Sequence, residues 1–397
     1  MKNKILFVVF LLMASVSARA YDFEKDGLYY NILNNSPYTV EITRQYKSYD
    51  WRSEDNYSNL TLANIPETVL YDGKSYSVIG IGEEAFDGSK NLSSVTIPES
   101  VLSIGDWAFF NCEALSSISI SKSVKSIGKY AFGNCCSLTS IDIPNSVTSI
   151  GLYAFSNSGL TSVSVPNSVT SIGRWAFEDC ENLASAVIPN TITDLDGLFE
   201  NCHSLTSITL PDSITCISWR AFMATGLVSF SIPNTVTIVD GEAFANCNNL
   251  TAITIPNSVT SIGYAAFVGC RSLKSVIIPQ SVINIDLDAF KGCDSLTIYC
   301  EVSSRPEGWD VDWNPNNRPV VWKKSTPVTE SATNAVNIYA YGHNIVVENA
   351  AEEIRVYDAM GRLVCRDAAR HVSTITVNGT GVYIVKVGNV AKRVIVK

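Results

Sequence analysis

The sequence predicts a repeat solenoid, mainly β with short 3-10 or helical turns, followed by a small C-terminal β-sandwich. Three observations carry this. Phe recurs at Phe86, Phe109, Phe132, Phe155, Phe177, Phe199, Phe222, Phe244, Phe267 and Phe290, always 22 or 23 residues apart. Leu marches in step at Leu92, Leu115, Leu138, Leu160, Leu183, Leu205, Leu227, Leu250, Leu273 and Leu296. Pro follows an aliphatic residue at Pro98, Pro144, Pro166, Pro189, Pro211, Pro233, Pro256 and Pro279. A fixed period of this length is the signature of stacked structural repeats. The hydrophobic content, 46% of 397 residues, is ample for their core.

One coil, Leu138 to Phe155, shows how each position is used. Leu138, Ile141 and Ile143 suit a short strand, the last two on one face by alternation. Pro144 ends the ladder because it has no N–H to donate. Asn145-Ser146 supply a corner, and Val147 to Ile150 form a second extended segment. Gly151 turns the chain, and Ala154-Phe155 plug the interior from a 3-10 or single helical turn. A lone coil buries too little to offset its ordering entropy, so stability requires stacked neighbours. The array is least regular between Leu195 and Glu242, where Asp196, Ser218 and Asp240 replace the turn Gly and several coils are one residue short. A bend there and neutral drift are both open readings.

The unit Ala-Phe-x-x-Cys-x-x-Leu-x-x-Ile-x-Ile-Pro resembles the BspA-type bacterial leucine-rich repeats. The start, Asp22 to Tyr30, and the segment Gly308 to Asn314 with Val321-Trp322 resemble the ends of that family's arrays. The resemblance covers residues 21–323. It implies a leucine-rich repeat solenoid with adhesin-like, host-matrix-binding roles.

The domain organisation follows. Residues 1–20 read as a Sec signal peptide: Lys2 and Lys4, an apolar stretch from Ile5 to Met13, and the cleavage site Ala18-Arg19-Ala20. No cysteine follows the apolar stretch, so a lipid anchor is not indicated, and no later segment is apolar enough to span a membrane. Residues 21–85 are an N-terminal cap with a polar stretch from Tyr46 to Asn59. About ten coils fill residues 86–300, a cap bearing Trp309, Trp313 and Trp322 fills 301–323, and 324–335 is a linker. Residues 336–397 carry short alternating strands that suggest the sandwich. Val356-Tyr357-Asp358, Gly361-Arg362, Gly381-Val382-Tyr383 and the basic end Lys392 to Lys397 resemble the C-terminal sorting domain of the type IX secretion system of Bacteroidetes. That implies export across the outer membrane and attachment at the cell surface. The Asn-Pro pair that opens such domains is absent, with Ile338 to Gly342 in its place, and a plain accessory β-domain is the alternative.

Composition narrows the function. The net charge is −9 and no basic stripe appears, which argues against a nucleic-acid partner. Of eleven cysteines, Cys112, Cys135, Cys180, Cys202, Cys247, Cys270 and Cys293 stand three residues after the repeat Phe. They read as buried thiols on successive coils, since side chains in parallel register need not meet disulfide geometry. The pair Cys135-Cys136 has no explanation from sequence. His203, His343 and His371 are too scattered for a zinc site. Asp310-x-Asp312-x-Asn314 begins like a calcium loop, but Pro315 and Val321 stand where such a loop needs Gly and Glu, so a cap is favoured. No nucleophile elbow, phosphate loop or H-E-x-x-H is present, and neither cofactor nor metal is expected.

One column goes beyond the scaffold. Two residues before the repeat Phe stand Trp107, Tyr130, Tyr153 and Trp175 on four consecutive coils, where other coils hold Glu84, Gly197, Arg220, Glu242, Ala265 and Asp288. This variety marks the position as solvent-facing, and Trp219 and Tyr264 lie one position off. An exposed aromatic strip suits sugar rings or extended peptides. The alternative is that the rings stack on one another and brace the coils. The reading is a secreted or surface-attached adhesion protein, non-enzymatic in that nothing in the sequence argues for catalysis, and acting as a monomer. Its expected partner is a host extracellular-matrix or cell-surface protein or a glycan. A glycan-binding accessory protein and a passive surface spacer are the alternatives.

Overall fold

A computed structural model describes residues 21–45, 57–323, 336–341, 344–348, 350, 352–368, 372–377, 379–388 and 390–396. Residues 1–20, read as a signal peptide, residues 324–335, read as a linker, and His343 and His371 lie outside the described residues. The chain forms two units, Met1–Lys324 and Ser325–Lys397.

The first unit is a β-solenoid of about eleven turns, without helix among the described residues. Two parallel ladders run along it. The first follows the repeat Leu, as in Ser94–Thr96 paired with Ser117–Ser119. The second precedes the repeat Gly, as in Ser126–Ile127 paired with Ser149–Ile150. The N-terminal cap adds a turn before the first repeat Phe, because Leu62–Asn64 already pairs with Ser94–Thr96. Its hairpins, Phe23–Lys25, Leu28–Asn35 and Tyr38–Thr43, extend the second ladder through Lys74–Ile81.

The interior is a column of phenylalanines. All ten repeat rings are fully buried and stack coil on coil, with centroids 5.1 Å apart at Phe86–Phe109 and 6.0 Å at Phe199–Phe222. Buried aromatic residues close both ends. Tyr57, from the stretch read as merely polar, lies 5.0 Å from Phe86 and donates its hydroxyl to the Thr43 carbonyl. At the other end Trp313 meets Phe290 edge-on at 5.9 Å. The Asp310 to Asn314 segment belongs to this cap: Asp310 Oδ1 accepts from the Asp312 N–H, and Asn314 pairs with the Arg318 main chain.

The segment expected as a 3-10 or helical turn takes a different form. The residues two before and two after each repeat Phe are left-handed, for example Trp107 (φ 51) and Asn111 (φ 57). The N–H groups of Trp107, Phe109 and Asn111 donate to the carbonyls of Lys129, Ala131 and Gly133 on the next coil, at 2.7 to 3.0 Å. A helix would use such donors within one segment. Here stacked coils supply the acceptors, and a third set of inter-coil bonds replaces the helix.

Three coils are one residue short, and each coincides with a break in a ladder. The first-ladder break between Ser117–Ser119 and Ser162–Ser164 lies beside the short corner Asn157-Ser158-Gly159-Leu160. The break between Ser207–Thr209 and Ser229–Ser231 lies at the short corner Ala224-Thr225-Gly226-Leu227. The second ladder breaks at Thr193-Asp194, where the path from Ile192 to Phe199 is one residue shorter than that from Val169 to Phe177. At Ala224 to Leu227 the missing residue pulls the following strand, Ser229–Ser231, out of register with Ser207–Thr209. Glycine makes the short corners possible: a Cβ on Gly159 would lie 2.2 Å from the Cys136 carbonyl oxygen, and one on Gly226 2.3 Å from that of His203. Of the three short places, Ala224 to Leu227 lies inside the irregular stretch expected at Leu195 to Glu242, and Thr193-Asp194 immediately precedes it.

All eleven thiols are free. The buried column makes weak hydrogen bonds along the stack, Cys180 Sγ to the Phe155 carbonyl at 3.1 Å and Cys202 Sγ to that of Phe177 at 3.1 Å. Ser158 and Thr225 take the position in two of the short coils and contact the next thiol. Burial pushes the Cys180 and Cys247 thiols up to about 11. Cys136 is the exposed member of the vicinal pair.

The second unit has two antiparallel sheets. One holds Asn337–Tyr341, Asn344–Glu348 and Val372–Thr376; the other holds Ile354–Asp358, Leu363–Asp367, Gly381–Val387 and Val390–Val396. Ile338, Ile345, Val347, Ile354, Val356 and Val385 fill a core of their own.

Candidate functional site

The four aromatics expected on the surface do form one column, but they do not face solvent freely. Trp107, Tyr130, Tyr153 and Trp175 are each half-buried. Their rings stack nearly parallel: Trp107–Tyr130 at 5.9 Å and 7°, Tyr130–Tyr153 at 4.6 Å and 12°, Tyr153–Trp175 at 5.1 Å and 5°. The rings are thus partly exposed and also stacked on one another, features of both readings of the column. All four residues are left-handed, with φ between 51° and 57°. That backbone is uncommon for bulky residues and costs roughly 1–2 kcal/mol each. Ring faces cover one another, and ring edges form the outer surface.

One end of the column is closed. Near its start Lys129 Nζ flanks two rings, 4.6 Å from the Trp107 centroid and 5.8 Å from that of Tyr130. At the other end the next coil carries Gly197, also left-handed, and the Trp175 indole fills the space a side chain would take. A Cβ there would lie 2.4 Å from Trp175 Nε1. Trp219 then meets Trp175 edge-on at 6.0 Å, so this off-register residue does extend the column. Tyr264 is 48% exposed and, among the described residues, stacks on none of the column's rings.

A charged network adjoins the column and was not foreseen from sequence. Trp175 Nε1 donates to Glu200 Oε2 at 3.0 Å, and Glu200 is buried. Arg220 bridges Glu200 at 3.4 Å and Glu242 at 2.7 Å while its guanidinium lies over the Trp219 ring at 4.3 Å. Glu178 accepts from Ser156 Oγ at 3.3 Å. Burial, then the neighbouring Asp179 and Glu200 carboxylates, pushes Glu178 up to about 7. Burial and the nearby Glu178 charge push the Tyr153 hydroxyl up to about 12. The signal available in the sequence was the pair Glu178 and Glu200, each following a repeat Phe on adjacent coils.

Comparison with known proteins now places the chain. Residues 79–197 and 182–297 match the BspA type leucine rich repeat region, in 6 copies. The chain belongs to the BspA-type leucine-rich repeat family. A leucine-rich repeat protein from Bacteroides ovatus is 26% identical with a TM-score of 0.45, covering 77% of this chain and 100% of its own. The T. pallidum leucine-rich repeat protein is 31% identical with a TM-score of 0.43, over 51% of this chain and 88% of its own. A leucine-rich cell surface protein from Faecalibacterium prausnitzii is 22% identical with a TM-score of 0.38, over 71% and 94%. No curated protein matches the chain.

In this BspA-type array the Leu, Phe and Cys columns are common to most coils and lie inside. The aromatic column is the longest run of one chemistry at the position two before Phe. Among the described residues, no group of three or more His, Cys, Asp or Glu has the geometry to hold a metal ion. No helix of the described residues is long and apolar enough to cross a membrane.

Proposed function

We propose that this BspA-type repeat protein is a secreted or cell-surface scaffold that binds a host or neighbouring-cell protein, as a monomer and without catalysis. The observation that carries the reading is the edge-on aromatic column from Trp107 to Trp175, set in otherwise polar and variable outward positions. Edges and tyrosine hydroxyls suit a protein surface, where aromatic residues concentrate binding energy. Stacking of sugar rings needs open aromatic faces, and within the column neighbours cover both faces of Tyr130 and Tyr153, so the geometry favours a protein partner over the glycan alternative. The Sec-type leader at 1–20 and the sorting-domain resemblance of 336–397 support export and surface attachment.

The test has two arms. The mature protein and Trp107→Ala/Trp175→Ala are compared on immobilised matrix proteins and on a glycan array. Micromolar binding to a matrix protein, weakened at least ten-fold in the variant, supports the reading. Loss confined to glycans would transfer the function to the accessory-protein alternative, and no binding at all would leave the spacer. Protease shaving of intact cells checks surface exposure, and hydrolysis of any member of a polysaccharide panel would contradict the non-enzymatic reading.

A further inference from the structure

We propose a second binding site, for an extended segment of a partner polypeptide, in a groove of about 890 Å³ on the first-ladder side of the solenoid. The proposal rests on the protein-binding reading but uses no residue of the aromatic column. The groove spans four successive coils, from Ile120 to Val187. At the ordinary inter-strand spacing of about 4.8 Å this gives roughly 14 Å, room for about four extended residues.

The groove lies where the first ladder is open. Ser140 to Ile143 belong to no strand and pair with neither Ser117–Ser119 nor Ser162–Ser164. The short corner at Ser158-Gly159 directly follows. The floor is apolar, from Pro144, Pro166 and the buried Val165.

Its polar lining fits a peptide. Asn145 and Asn167 occupy equivalent corner positions on adjacent coils, both exposed. Neither side-chain amide is hydrogen-bonded to another of the described residues. A primary amide presents one carbonyl acceptor and an NH₂ donor, the complement a peptide unit requires, so each Asn can pair with one main-chain unit of a ligand. Lys122 stands in the same corner column one coil earlier, and Asp142 lines the groove from the strand side. Neither is in an ion pair among the described residues, so the groove presents one unspent charge of each sign and gives a bound peptide a preferred direction. No aromatic ring lines it, which leaves nothing for a sugar to stack on. One lysine beside one aspartate does not make a polyanion site.

The experiment selects random 12-residue peptides on phage against the full mature protein, then measures synthetic versions by fluorescence anisotropy. Affinity should fall at least ten-fold in Asn145→Ala/Asn167→Ala and stay within two-fold in Trp107→Ala/Trp175→Ala. The near-isosteric Asn145→Asp/Asn167→Asp, which removes the donors and keeps the shape, should lose affinity similarly. Asp142→Lys should select against peptides carrying Lys or Arg. Failure to enrich any peptide over an unrelated control protein overturns the proposal, as does equal binding by the Asn variants. Affinity lost only in the tryptophan variant also overturns it, and leaves the protein-binding reading standing.

Discussion

Two aromatic columns climb the solenoid two residues apart in each coil. The inner one has ten members, all Phe and all fully buried. The outer one has four in unbroken register, mixes Trp with Tyr, is half-buried, and sits on left-handed backbone throughout. Both stack nearly parallel at similar distances, so stacking alone does not separate structural from functional residues. Burial and uniformity do. A residue that every coil needs is set by the space between coils, whereas one that only four coils carry is free to serve the partner proposed above.

Substitutions should separate the columns by size of effect. Phe155→Ala leaves a cavity between two stacked rings and should cost about 3–5 kcal/mol. Urea unfolding of the mature protein reads it, and a loss below about 1 kcal/mol would contradict the inner column's role. Tyr153→Ala gives up stacks on both sides, each about 0.5–1.5 kcal/mol beyond simple burial, and keeps a strained backbone. Tyr153→Gly gives up the same stacks and relieves the strain. The Gly variant should therefore be the more stable by about 1 kcal/mol, the reverse of the order in an ordinary strand. Equal or inverted stabilities would mean that the left-handed backbone carries no cost at this site.

A smaller effect comes from Glu178. Its folded value, about 7, lies above the ordinary carboxylate value of 4.5. Between these values the folded chain holds a proton that the unfolded chain releases, so this group's contribution to stability grows as pH falls from above 7 towards 4.5. Glu178→Gln should raise the melting temperature at pH 8 and lose most of that advantage at pH 5. Partial exposure keeps the effect modest. A benefit equal at both pH values would exclude titration of Glu178 as its origin. Smallest in energetic terms is the reactivity contrast between neighbours Cys135 and Cys136. Iodoacetamide should modify Cys136 in the native protein and reach Cys135 only on unfolding, as read by peptide mass spectrometry.

The interior was legible from sequence because packing repeats: Phe, Leu and Cys recur wherever the same space must be filled. The outer column was legible as a run of residue types but not as a stack. Its orientation depends on left-handed backbone, and among the residues at that position only Gly197 hints at it. The position two after Phe states the same backbone more openly, through Asn111, Asn134, Asn157, Asp179, Asn201 and Gly269. Tyr57 escaped because it heads the Phe column from outside the repeat. The ladder break at Ser140–Ile143 falls in a coil whose own residues are regular, and its nearest identifiable cause is the deletion at Ser158-Gly159.

The central claim is that the outer column recognises a partner while the inner column holds the fold. Tyr130→Gly/Tyr153→Gly tests both halves at once, with unfolding and binding to a panel of purified matrix proteins measured on the same sample. The account predicts a folded protein that retains cooperative unfolding and has lost at least ten-fold in affinity. Unchanged binding, or collapse of the fold, would contradict it.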